Sequence, residues 1–419
     1  MIQKHILDNG IRLICDQEDY FKTFSLGFWV KAGSIYENTQ NNGYTHLLEH
    51  MLFKGTHKRT YLDISQEIDS AGGHINAFTE RENTCFYVHL MNHHQELGVD
   101  ILWDMMANST IHEQELDKEK MVVIEEIKMY EDSPEELIHD LFFSHVWKSQ
   151  ALGYPILGTI PNINDANRQK VFDFYHEFYS PENLLVSVAG NFDSKELLGQ
   201  IEKLKFPQNK LTQHQPSSSQ LNFENHFQIK DLEQVYFILG FNAFSRHDPR
   251  RYGLYLLNNI IGGGSSSRLF LEVREKQGLA YSIYSFTGLY EDSGVFGISS
   301  STSLENYRPV LRIIIREIKK LCEEGVSEEE LNRSKEQIKG GIIFSMENLE
   351  SRMGRNAKQE LDYNKTITTE EIMGEIEKVS VEDLNNLIRD VLTLDNHAFY
   401  SLGEEKHSEI SLSKDIITH

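Results

Sequence analysis

The sequence predicts an α+β fold in which one domain pattern occurs twice, each copy with an antiparallel-rich sheet and helices packed on one face. Segments of the first half recur in the same order about 210 residues later, as in a duplicated architecture. Alternating runs such as TCFYVHL are typical of half-buried strands, and longer runs such as YRPVLRIIIREIKKLCEEG have helical periodicity. A chain of 419 residues also exceeds what one core usually organises.

The repeat can be followed element by element. The matched pairs are Phe24–Phe28 with Phe237–Phe241, Leu47–His50 with Leu256–Asn259, residues 111–127 with 326–342, and the closing strands NLLVSVAG and NHAFYSLG. Between the halves lies FPQNKLTQHQPSSSQ, which is poor in apolar residues and typical of a linker. We therefore predict a first domain at 1–208, a linker at 209–222 and a duplicated domain at 223–419.

Composition limits the partners. The net charge of −23 would repel nucleic acid and anionic membranes, and no run approaches the roughly 20 apolar residues of a membrane span. The N-terminus lacks an export signal, and Cys15, Cys85 and Cys322 form an odd, widely spaced set that suits a reducing compartment. A cytoplasmic protein is expected. The charge would attract basic substrates, although acidic surfaces more often serve solubility.

The segment Gly43–Phe53 carries the chemistry. Its apolar spacing and lack of proline predict a buried helix ending near Gly55. His46 and His50 are four residues apart on one face, which suits two ligands of one tetrahedral zinc. Glu49 shares that face, where a carboxylate can take a proton from a metal-bound water. This is the inverted form of the common zinc-protease motif, and the alternative is a helix with a structural histidine pair.

A third protein ligand is expected from the helix around residues 119–130. Glu119 and Glu126 are seven residues apart and share a face. Apolar neighbours at Val122, Val123, Ile124 and Ile127 predict a buried setting for Glu126, where a carboxylate needs a partner. Glu125 is expected to face solvent, although spacing alone leaves an exchange of roles between Glu125 and Glu126 open.

The duplication provides an internal control. At the matching positions of the second half the five chemical groups are replaced: His46 by Tyr255, Glu49 by Asn258, His50 by Asn259, Glu119 by Ser334 and Glu126 by Gly341. A requirement of the fold would persist in both copies, whereas a single metal site needs these groups only once. The pattern favours one zinc site per chain over a structural role.

Three segments resemble the pitrilysin family of zinc peptidases, especially its processing-peptidase branch: HLLEHMLFKGT from His46, AGGHINAFTERENTCFY from Ala71 and REKQGLAY from Arg274. The spacing of residues in the acidic segment that ends at Pro134 is a fourth point of resemblance. The resemblance implies that His46, His50 and Glu126 bind zinc, that Glu49 is the general base, and that Glu119 steadies a ligand.

The resemblance also implies where a peptide binds. Gly73, Asn76, Ala77 and Phe78 resemble the edge strand on which the family docks an extended substrate, through main-chain hydrogen bonds that tolerate any sequence. Arg274 and Tyr281 resemble the pair that holds substrate carbonyls and stabilises the tetrahedral oxyanion. The alternatives are an ordinary paired strand and a structural ion pair of Arg274.

In the family, two half-chambers enclose the substrate, which implies a homodimer in which Arg274 and Tyr281 act on the partner's zinc. The glycine-rich segment Gly262–Ser267 is shorter than the substrate loop of inactive processing-peptidase subunits, and a heterodimer with an inactive paralogue remains the alternative. The expected function is cleavage of unfolded or presequence-like peptides. Two rival functions are an assembly subunit without proteolysis and a carrier that holds peptides without cutting them.

Overall fold

The computed structural model describes residues 2–205, 219–404 and 406. Two sheets organise the fold. The strands of the first are β1 (Gln3–Ile6), β2 (Arg12–Gln17), β3 (Thr23–Val30), β4 (His74–Thr79), β5 (Thr84–Met91) and β6 (Leu184–Gly190); those of the second are β7 (Asn225–Ile229), β8 (Val235–Asn242), β9 (Ser282–Leu289), β10 (Gly294–Thr302) and β11 (His397–Gly403).

Fourteen α-helices of the described residues accompany the sheets. Those before the predicted linker are α1 (Tyr44–Leu52), α2 (Tyr61–Ser70), α3 (Gln95–Asn108), α4 (Glu113–Glu131), α5 (Pro134–Val146), α6 (Ile160–Asp165), α7 (Arg168–Phe178) and α8 (Ser194–Glu202). Those after it are α9 (Arg251–Gly262), α10 (Leu304–Glu324), α11 (Glu328–Ser345), α12 (Leu349–Tyr363), α13 (Thr369–Lys378) and α14 (Val381–Val391). Within the described residues, no helix has the length and apolarity needed to cross a membrane.

The sheet topology repeats. The first sheet has the order β1-β2-β6-β3-β5-β4 and the second β7-β11-β8-β10-β9. In each, one parallel pair, β2 with β6 and β7 with β11, lies beside antiparallel pairs. Without β1, the two orders are the same sequence of equivalent strands. The predicted α+β class with two duplicated, antiparallel-rich sheets is confirmed.

The compact units are discontinuous in sequence, unlike the predicted ranges 1–208 and 223–419. The first unit comprises Met1–Met129, Tyr154–Ser217 and Phe344–Thr366, and the second comprises Tyr130–Gly153, Ser218–Ile343 and Ile367–His419. Thus α5 belongs to the second unit and α12 to the first. The predicted linker, 209–222, lies outside the described residues except for its last four positions.

Each exchanged helix covers the face of a sheet that the unit's other helices leave open. In the first unit, Leu349, Met353 and Ala357 of α12 pack against sheet residues that include Trp29 and Leu185. In the second unit, Gly240 of β8 makes room for Phe142 of α5, because a Cβ there would lie 2.2 Å from the phenyl ring. Helices therefore cover both faces of each sheet, where the sequence predicted helices on one.

Candidate metal centre and active site

Local contacts fix the start of α1, the helix that carries the inverted motif. Gly43 precedes it with φ +100°, a conformation that costs glycine little. The buried Glu37 carboxylate accepts hydrogen bonds from the backbone N–H groups of Gly43 (2.8 Å) and Thr45 (2.7 Å) and from the Asn42 amide (2.9 Å). A carboxylate in this position satisfies otherwise unpaired N–H groups at the helix N-terminus.

Three side chains converge where α1 faces α4. His46 Nε2 lies 3.9 Å and His50 Nε2 3.6 Å from Glu126 Oε2, and all three potential ligand atoms lie within 4.8 Å of one another. Tetrahedral zinc with bonds of about 2.0–2.1 Å needs ligand atoms roughly 3.3 Å apart. The two histidine–carboxylate distances, 3.9 and 3.6 Å, are close to that value, and two imidazoles with one carboxylate form a donor set that suits zinc.

The environment of Glu126 differs from the prediction. Its side chain keeps 35% of its accessible surface, and Val122, which was expected to help bury it, is 49% exposed. The helix face at Glu126 is therefore partly open to solvent, as a site that admits water and substrate requires. Glu125 is 73% exposed and pairs with Lys128 at 2.7 Å, away from both histidines.

Glu119 lies behind His50. Its Oε2 atom is 3.1 Å from His50 Nδ1, and its Oε1 atom accepts from Lys54 Nζ at 2.7 Å. Burial opposes ionisation of Glu119, but the hydrogen bonds from His50 and Lys54 outweigh it and lower the pKa. A carboxylate at Nδ1 fixes the ring so that Nε2 faces Glu126, the arrangement that orients metal-binding histidines.

The two histidines differ electrostatically. Burial, with a smaller contribution from the His50 charge, lowers the pKa of His46 to about 3, so its imidazole is neutral at neutral pH. Burial also disfavours protonation of His50, but its hydrogen bond to Glu119 and the surrounding carboxylates raise its pKa. Negative charge around His50 favours a cation, whether a proton or a metal ion.

Glu49 projects beside the cluster without joining it. Its Oε2 atom accepts a hydrogen bond from Thr79 Oγ1 at 2.5 Å. Burial raises the pKa of Glu49, and the hydrogen bond from Thr79 and the charge of His50 partly offset that effect. A half-buried carboxylate with an elevated pKa next to a metal site has the properties of a general base.

The predicted peptide-binding segment forms an edge strand. β4 pairs with β5 in antiparallel register, with Asn76 opposite Tyr87 and Ala77 opposite Phe86, and it is the last strand of its sheet. Gly73 directly precedes the strand, and Phe78 packs edge-on against Trp29 with ring centroids 5.4 Å apart. The outer edge of β4 has no strand partner among the described residues, so an added strand can pair there.

Arg274 and Tyr281 also come together, within the second unit. Arg274 lies in a π-helical turn, Phe270–Glu275, and such turns are frequent at functional sites. Its guanidinium donates to the Tyr281 carbonyl at 3.0 Å and lies 4.6 Å from the centre of the Tyr281 ring. Within the described residues Arg274 forms no ion pair, and Tyr281 is 79% exposed.

The matching place in the second unit contains no metal-ligand set. Ser334, which replaces Glu119, donates to the Leu256 carbonyl of α9 at 3.2 Å. At Gly341, which replaces Glu126, a Cβ would meet no atom within 4 Å. The one group of three or more metal-ligating side chains found in the described part of the chain is His46, His50 and Glu126.

Sequence reasoning missed three contributors to the site. Lys54 lies within the quoted motif HLLEHMLFKGT, and Thr79 lies within the quoted segment AGGHINAFTERENTCFY. Neither motif revealed which carboxylate these side chains contact. Glu37 lies in an irregular stretch before the helix, so no periodic pattern pointed to it. Lys54 and Thr79 act through tertiary contacts, and Glu37 acts on residues five to eight positions along the chain.

Comparisons with known proteins agree with this architecture. Residues 13–160 match the family described as insulinase (peptidase family M16), and residues 165–338 match the peptidase M16 inactive domain. An uncharacterized zinc protease of Bacillus subtilis is 38% identical over 94% of this chain and 97% of its own length, and one of Streptomyces coelicolor is 35% identical over 93% and 87%. A protease from Helicobacter pylori has the same fold, with a TM-score of 0.89 at 20% identity over 96% of this chain and 99% of its own.

A duplicated fold with one inverted His-x-x-Glu-His helix defines a class of metallopeptidase. The chain belongs to that class as a member of peptidase family M16, the insulinase family. The model that matches the second half describes an inactive domain, in agreement with the loss of all five groups there.

Proposed function

We propose that the protein is a zinc-dependent endopeptidase with one zinc per chain, bound by His46, His50 and Glu126. The observation that carries the proposal is the convergence of these three side chains beside Glu49. Bound zinc would polarise a peptide carbonyl and lower the pKa of a water molecule. The curated relatives are named zinc proteases, which supports this choice of metal.

Residues of the chain transfer the proton, orient a metal ligand and bind the substrate. Glu49 accepts the proton of the attacking water and passes it to the leaving amine. Glu119 holds His50 through Nδ1 and keeps its ring oriented. The outer edge of β4 binds an extended, unfolded peptide by main-chain hydrogen bonds, with Gly73, Asn76, Ala77 and Phe78 along the docking strand.

Arg274 and Tyr281 are proposed to hold substrate carbonyls and to stabilise the developing oxyanion. The exposure of Tyr281, and an Arg274 that forms no ion pair within the described residues, support a role toward a ligand. In a homodimer, each pair would serve the partner's zinc site. We also propose, from the sequence, a processing-peptidase specialisation, a cytoplasmic location and a preference for basic peptides. The last of these rests on the net charge of −23.

The test is hydrolysis of a quenched fluorogenic peptide by the full chain as purified, after zinc chelation, and after zinc is restored. We expect turnover to disappear on chelation and return with about one zinc per chain.

The same assay tests the preference for basic peptides, by comparing a basic and an acidic peptide of equal length at low and high salt. Any difference in turnover that arises from surface charge should become smaller at high salt.

Two results would contradict the proposal. A protein that binds no zinc and cleaves nothing would favour the assembly-subunit alternative. A protein that binds zinc and peptide without cleavage would favour the carrier alternative.

A further inference from the structure

Thr79 connects two parts of the proposed active site. It is the last residue of β4, the edge strand, and its hydroxyl lies 2.5 Å from Glu49 Oε2 on α1. Side chains alternate along a strand, so Ala77 and Thr79 share a face. Ala77 packs against the core that contains α1, and the same face presents the Thr79 hydroxyl to Glu49.

The direction of this hydrogen bond follows from its neighbours. An ionised carboxylate only accepts hydrogen bonds, and a threonine hydroxyl has one proton to donate. Thr84, which is paired with Thr79 in the sheet, donates its proton to the Ala32 carbonyl at 2.9 Å and lies 3.5 Å from Thr79 Oγ1. Thr79 is therefore the donor to Glu49, and Thr84 does not compete for that carboxylate.

The end of β4 is held in place. The Glu80 backbone N–H donates to the Asn83 carbonyl at 2.8 Å, closing the turn to β5, and the Glu80 side chain pairs with Lys358 of α12. Thr79 thus lies between a strand pairing and an anchored turn. Its hydroxyl is a rigid donor to a half-buried carboxylate, and a fixed partner limits the rotamers of such a group.

We infer that Thr79 is a positioning residue that orients the Glu49 carboxylate toward the attacking water. The inference rests on the proposed function, in which Glu49 is the general base. One Glu49 oxygen, Oε2, accepts the hydroxyl of Thr79, so in this proposal the other oxygen takes the proton of the water. Thr79 belongs to β4, the strand proposed to bind the peptide. The same strand would therefore position both the general base and the substrate.

The test compares Thr79→Val and Thr79→Ser in the full, zinc-loaded chain, with kcat and KM measured separately. Valine keeps the shape and removes the hydroxyl, so we expect kcat to fall about ten- to hundredfold with KM within about twofold. Serine restores the donor and should keep kcat within about threefold of wild type. Thr23→Val, in β3 of the same sheet, is a matched control that should leave both constants unchanged.

Zinc content and the urea unfolding midpoint of each variant separate positioning from structure. Equal kcat for wild type and Thr79→Val would overturn the inference, and so would equally low kcat for the Val and Ser variants. Loss of zinc from Thr79→Val would also overturn it, because Thr79 would then support the metal site. If the wild type cleaves no peptide, the proposed function has failed, and that outcome is distinct from any difference between variants.

Discussion

At the scale of single residues, α1 is the best-predicted part of the molecule. The spacing of His46, Glu49 and His50 defined one face of a helix, and the replacement of all three in the second copy distinguished chemistry from structure. The contacts of Thr79 and Lys54 could not be predicted in the same way. They join residues on different elements, and a single sequence contains no information on which side chain meets which carboxylate.

Glu126 and Glu125 provide a matched pair of neighbours on α4. We expect Glu126→Gln to weaken zinc affinity by about a hundredfold or more, because a neutral amide replaces a charged ligand. Glu125→Gln should leave affinity within about twofold, since Glu125 is 73% exposed and pairs with Lys128. Competition titration with a chromophoric chelator measures both. Loss in Glu125→Gln alone would reverse the assignment, and equal loss in the two variants would contradict it.

At the scale of elements, the sequence predicted helices and strands well but not which helix covers which sheet face. Strand alternation shows that β3 has two apolar faces, yet the packing of Met353 against Trp29 joins residues 324 positions apart. α5 and α12 have the apolar faces of ordinary amphipathic helices, and nothing local indicates that each belongs to the other unit. The predicted domain boundaries were continuous for that reason.

The start of α11 provides a pH-dependent test. Glu330 accepts from Arg268 at 2.7 and 2.9 Å and from the Ser327 backbone N–H at 3.0 Å. Burial raises the pKa of Glu330, but these hydrogen bonds outweigh burial and lower it below 4.5. The stabilisation is therefore complete above about pH 4.5, the ordinary pKa, and is lost as pH falls through the lowered value in the folded state.

We expect Glu330→Gln to lower the free energy of unfolding by about 1–3 kcal/mol at pH 7. The difference from wild type should be unchanged at pH 5 and smaller at pH 3.5. Urea unfolding of the zinc-loaded proteins at the three pH values measures it. A difference that grows as the pH falls would contradict the assigned sign.

At the scale of the whole molecule, the duplication separates the proposed functions of the two units. The first contains the metal cluster, and the second contains Arg274 beside an exposed Tyr281. The identical order of equivalent strands shows that this fold forms without the metal ligands. The proposed homodimer would give each zinc site its Arg–Tyr pair from the partner subunit.

Mixing two inactive variants tests that arrangement. In a mixed dimer, one chain carries Glu49→Gln and the other carries Arg274→Ala. Such a dimer has one complete active site only if each site takes Glu49 from one subunit and Arg274 from the other. Random exchange at equal amounts should restore about a quarter of wild-type turnover, because half of the dimers are mixed and each has one complete site. A mixture no more active than its parents would place Arg274 on its own chain's zinc site or outside catalysis.

The central claim is that Glu49 is the general base beside a zinc held by His46, His50 and Glu126. The most direct measurement is peptide turnover by wild type and Glu49→Gln, with bound zinc quantified in both. We predict that the variant keeps one zinc per chain and loses kcat by about three orders of magnitude or more. A variant that holds zinc and retains near wild-type turnover would contradict the account.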